Sequence, residues 1–116
     1  MTVREVDFSI SGKFDRLSDE YRRDAASRFE ARFSDLGVSA EEARATNPAG
    51  YDLALARAEG AAETRARAVV LLEYARALGA SRGQTADIVD IALENMNEPI
   101  RRTAERVAGY LASAQA

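Results

Sequence analysis

Residues 68–78, AVVLLEYARAL, carry apolar side chains on almost every side of a helix, with Glu73 and Arg76 the plainly polar exceptions. A helix that is apolar all round has to be surrounded by other elements. This stretch therefore sets the fold as a small helical domain with the remaining segments packed on one central helix. The same spacing runs back through Ala75, Leu72, Val69, Ala62, Ala58, Leu55 and Tyr51, so one long helix is expected over 49–78. Gly60 interrupts it and is expected to mark a bend or a close crossing with another helix. Gly79 and Gly83 bracket the turn that ends it.

The flanking segments read in the same way. Ser18-Asp19-Glu20 looks like a helix start, and Tyr21, Ala25, Phe29, Phe33 and Leu36 form one stripe, giving a helix over 19–36 stopped by Gly37. Ser39 with Glu42 forms a capping-box pattern that opens a short helix over 40–45. Asn47 and Pro48 reset the chain for the long helix. Ile88, Val89, Ala92, Leu93 and Met96 give an apolar face to a helix over 84–97. Pro99 then either kinks that helix or opens another, whose stripe of Ile100, Ala104, Val107 and Leu111 covers 99–113. Glu98 with Arg102, and Arg101 with Glu105, are four apart, a spacing that favours a kinked continuous helix with both pairs formed along it.

The N-terminus reads differently. Val6, Phe8 and Ile10 alternate with Glu5, Asp7 and Ser9, the period-two pattern of a strand over about 3–11 with one buried face. No second strand follows, and a lone strand leaves its backbone groups unpaired. Pairing with the same strand of a second copy is the simplest remedy, which makes Val6, Phe8 and Ile10 the expected oligomer interface. The expected fold is thus mainly α, a bundle of four to five helices in one domain of 116 residues, with an N-terminal strand or arm over 2–14.

Composition narrows the function. The chain has neither cysteine nor histidine. That excludes disulfides and thiolate metal sites, and removes the commonest general base and zinc ligand. No catalytic motif or phosphate-binding glycine loop occurs, so no enzyme activity and no cofactor are expected. The net charge of −3 is not the basic balance of a protein that grips a nucleic-acid backbone. The apolar run 68–72 falls well short of the roughly 20 residues that cross a bilayer. Glu5 and Asp7 stand where a secretory leader is basic and then apolar. A cytoplasmic protein with no membrane partner is expected.

Three local patterns suggest chemistry. Residues 71–96, with Ala75, Gly79, Ser81-Arg82 and Ile88, resemble the helix-turn-helix of bacterial regulators, in which a second helix enters the major groove. The resemblance implies DNA contacts from Arg82 and Gln84. It departs at Thr85, where that motif has a branched apolar residue, and the reading helix would carry Asp87, Asp90 and Glu94 toward phosphates. The strand-then-helix order is similar to ribbon-helix-helix dimers, but Glu5 and Asp7 would face the groove. Glu59 and Glu63, with Asp87 and Asp90, only partly match the paired-carboxylate Mg²⁺ motifs of all-helical nucleotide pyrophosphohydrolases.

The leading expectation is a non-enzymatic, acidic interaction protein, an adaptor or inhibitor of the kind that phages and mobile elements encode. It would work as a homodimer, with Asp87, Asp90 and Glu94 meeting a basic protein partner. A DNA-binding regulator is the alternative, and a structural subunit of a larger assembly is the third.

Overall fold

A computed structural model describes the backbone over residues 3–115 and the side chains over 9–114. It is mainly helical: α1 (Val3–Asp35), α2 (Ala40–Thr46), α3 (Pro48–Ala77), a single 3₁₀ turn (Arg82–Gln84), α4 (Thr85–Glu94) and α5 (Ile100–Gln115). Among the described residues there is no strand.

The strand expected over 3–11 is therefore corrected to the first turns of α1. Ile10, Phe14 and Ser18 lie four apart and are all buried, at 4%, 9% and 4% exposure, which is the signature of one helical face. Inside a helix the backbone N–H and C=O groups bond within the chain, so the unpaired ladder that called for a second copy does not arise. Of the three interface residues expected there, Ile10 is part of the core. The side chains of Val6 and Phe8 lie outside the described residues. Ser18, read as a helix start, sits in mid-helix, and Gly12 does too.

The other helix ends follow their local chemistry. Ser39 caps α2, its Oγ accepting from the Glu42 N–H at 3.1 Å. Asn47 Oδ1 accepts from the Gly50 N–H at 3.0 Å, with Pro48 as the first residue of α3. Gly37 and Gly79 adopt φ of +77° and +93°, and each is followed by an N–H that reaches back five residues: Val38 to the Phe33 carbonyl, Ala80 to the Ala75 carbonyl, both at 3.0 Å. This paired bonding closes α1 and α3, and glycine is the residue that enters it without strain. Pro99 starts a helix rather than kinking one: α4 ends at Glu94, and the Pro99 carbonyl accepts from the Arg102 N–H at 2.9 Å.

The chain divides into two compact units. The first comprises Met1–Leu17 and Thr64–Ala116. Its core is Leu71, Ile88, Val107 and Thr103, all essentially inaccessible, extended by Phe14, Val70, Ile100 and Leu111 and by fully buried Ala66, Ala75, Ala92 and Ala104. The alanines contribute little area each but allow close packing. The expected α5 stripe is buried as a set. On α3 the buried face is shifted: Ala66, Val70, Leu71 and Ala75 are inside, while Val69 and Leu72 are only half-buried. Leu93 and Met96, expected inside, are 46% and 45% exposed.

The second unit, Ser18–Glu63, is a helical hairpin made from the rest of α1, α2 and the start of α3. Phe29, Phe33 and Tyr51 form an aromatic trio with ring centroids 5.1–5.6 Å apart, and Arg44 lies 5.9 Å from the Tyr51 ring while pairing with Asp52. Only Ser18 and Ala62 are buried in this unit, and Leu36, Val38 and Leu53 are exposed.

Gly60 lies inside α3, and a Cβ built there meets nothing within 4 Å, so no close helix crossing is seated on it. Gly60→Ala is accordingly expected to stabilise the protein by about 0.5–1 kcal/mol, because alanine loses less backbone freedom on folding. A urea midpoint that falls in this variant would show the position has a packing role.

Candidate functional site on α4

The α4 helix turns Ile88 and Ala92 into the core, with Thr85, Val89 and Ile91 half-buried beside them. At 100° per residue the opposite side then carries Asp87, Asp90, Glu94, Ala86 and Leu93, and all five are exposed. Asp90 lies in the middle of this face. Ala86 and Leu93 flank it on one side; Glu94 and Asp87 flank it on the other. Met96 follows in the turn. The three carboxylates singled out from the sequence thus do share a face, and it includes a large aliphatic residue that the sequence placed inside.

Asp87 is engaged. Its Oδ2 accepts from the Tyr110 hydroxyl on α5 at 2.5 Å, which ties α4 to α5. That hydrogen bond, helped by burial, raises the Tyr110 pKa above the ordinary tyrosine value. A raised folded-state pKa means the bond stabilises the fold below the unfolded tyrosine's pKa near 10 and is lost as pH rises through the folded one. We expect an alkaline absorbance titration to include a late step, above the ordinary tyrosine range, from Tyr110. Tyr110→Phe should remove that late step. If the late step survives, the bond to Asp87 is not its cause.

The turn that follows α4 is held from beneath by Arg67, a residue whose role the sequence did not reveal. Arg67 is 7% exposed. Its guanidinium donates to the Glu98 carbonyl at 2.8 Å, to Thr103 Oγ1 at 3.1 Å and to the Asn95 carbonyl at 3.4 Å, and it stands 5.3 Å from the Phe14 ring centroid. A cation is favourable there, because Asn95 caps the C-terminal, negative end of α4. On the outside of the turn Glu98 pairs in fork geometry with Arg106, at 2.7 and 2.8 Å, and not with Arg102 as its spacing suggested. Arg106, first of all through these hydrogen bonds, lowers the Glu98 pKa against the opposing effect of burial. This contribution to stability is present above the ordinary carboxylate range and is lost on acidification.

The residues that the helix-turn-helix resemblance pointed to are differently placed. Gln84 Oε1 accepts from the Ser81 N–H at 2.9 Å and from its hydroxyl at 3.4 Å, closing the 3₁₀ turn. Arg82 is exposed. Among the described residues no three acidic groups converge as a metal site, and no helix is long and apolar enough to cross a membrane. No family model matches the chain, and no curated protein or solved structure is significantly similar to it.

Proposed function

We propose that the protein is a small acidic interaction protein, an adaptor or inhibitor, that presents the outer face of α4 to a basic protein partner. The observation that carries this reading is the mixed face itself, where Asp87, Asp90 and Glu94 stand beside exposed Leu93 and Met96. Carboxylates steer a basic surface and fix register, while an aliphatic residue among them supplies burial that a purely solvated acidic face lacks. Arg67 and the Asp87–Tyr110 bond hold the face rigid, which lowers the ordering cost of association. The uncovered apolar side chains of the hairpin, Leu36 and Leu53 above all, support self-association as well.

The same carboxylates weigh against duplex DNA as the partner, because they would face phosphates. The test uses the wild-type protein and a variant carrying Asp87→Lys, Asp90→Lys and Glu94→Lys, each immobilised in turn against extract of the native host. Wild type should retain a basic protein, more weakly as salt rises, and the variant should lose it. Retention undiminished by the three reversals would overturn this use of α4. A gel shift of duplex DNA at low salt would favour the regulator instead, and light scattering reads the oligomeric state.

A further inference from the structure

Between the last turns of α3 and the start of α4 lies a hollow of about 220 Å³, lined by Leu72, Arg76, Ala80, Ser81, Arg82, Thr85 and Ile88. We infer that this hollow is a binding site for a small organic carboxylate, an apolar body the size of a single aromatic ring or short acyl chain carrying one anionic end.

The argument rests on size, lining and charge. A cavity of about 150 Å³ accommodates benzene, so the hollow takes an aromatic acid and not a nucleotide. Leu72, Ala80 and Ile88 supply aliphatic surface for the body. Ile88 is buried and Leu72 half-buried, so that part of the wall is fixed by the core. The charge is one-sided: two arginines line the hollow and no acidic residue does. Among the described residues neither Arg76 nor Arg82 has an ion-pair partner, although acidic residues outnumber basic ones in the chain, 19 to 16. A guanidinium that is free can give a carboxylate two parallel hydrogen bonds. Thr85 is a lining residue as well, a small side chain with a hydroxyl to offer at a position that a larger aliphatic one would fill.

The probe is trans-cinnamate, titrated into the ¹⁵N-labelled full chain, with cinnamyl alcohol as its uncharged counterpart. Cinnamate should shift amide signals from residues 72–88 in a saturable way, and the alcohol should bind at least about 10-fold more weakly, the equivalent of one charge-assisted contact. Arg76→Ala with Arg82→Ala should weaken cinnamate by about the same factor and leave the alcohol unchanged. Both arginines are exposed, so the double variant should fold. Thr85→Leu is the independent check, filling the hollow while keeping both charges, and it should abolish binding. No saturable shift at millimolar cinnamate would overturn the site. Equal binding of the two probes, or undiminished binding in Thr85→Leu, would do so as well.

Discussion

Arg67→Ala is expected to lower the stability of the protein by about 3 kcal/mol, the largest effect of any single polar substitution considered. The estimate follows from what the side chain leaves behind. Removing it takes the donor from the Glu98 carbonyl and a charged donor from the Asn95 carbonyl and the Thr103 hydroxyl, which still bond each other at 3.5 Å, and a hydrogen bond to a charged group contributes about 1.5–3 kcal/mol. The contact with the Phe14 ring disappears too. Burying the guanidinium carries a desolvation cost, so deletion recovers part of the loss and the figure stays near 3 and not higher. Arg67→Lys is not conservative here, because one ammonium cannot reach carbonyls on both sides of the turn as a planar fork does. It should cost about 2 kcal/mol. Arg67→Met keeps an apolar stem beside Phe14 and isolates the hydrogen bonds. Urea unfolding followed by circular dichroism measures all three. A Met variant within about 0.5 kcal/mol of wild type would show that the turn does not depend on these bonds.

Arg67 also shows where the sequence stopped being legible. Its partners are 28 to 36 residues away, and two of them are backbone carbonyls of a turn. No side-chain pattern announces such a site. The helix stops, by contrast, are local chemistry. Gly37, Gly79, Ser39 and the Asn47-Pro48 pair act through bonds no more than five residues long, and each performs the role its sequence implied. The N-terminus failed for a different reason. Over a few residues, alternation at Val6, Phe8 and Ile10 satisfies a strand period, while the four-residue spacing of Ile10, Phe14 and Ser18 becomes visible only beyond the end of the strand expected over 3–11. Ser18-Asp19-Glu20 then supplied a convincing helix start that burial of Ser18 overrides. On α4 the carboxylates were legible as one side of a helix, but exposure of Leu93 was not. Which apolar residues stay outside depends on how many helices arrive to cover them.

The same difference in cover predicts two stabilities along single helices. Leu71 in α3 is fully buried, whereas Leu53, earlier in the same helix, is 54% exposed. Leu71→Ala should cost about 3 kcal/mol, from lost transfer energy and the cavity left in a core of short side chains that cannot collapse far. Leu53→Ala should change stability by less than about 0.5 kcal/mol at low protein concentration, since leucine and alanine are both strong helix formers. Amide hydrogen exchange should follow the same division. Residues 66–75 of α3 should be protected close to the global stability, and residues 51–59 should exchange through cheaper local opening, because the hairpin that holds them buries only Ser18 and Ala62. Concentration separates an uncovered hairpin from one that a second copy covers. If copies associate through this surface, protection over 51–59 rises with protein concentration and Leu53→Ala removes the rise. Protection that stays the same across the concentration series would show that this surface remains open, and would leave α4 as the one face proposed to meet a partner.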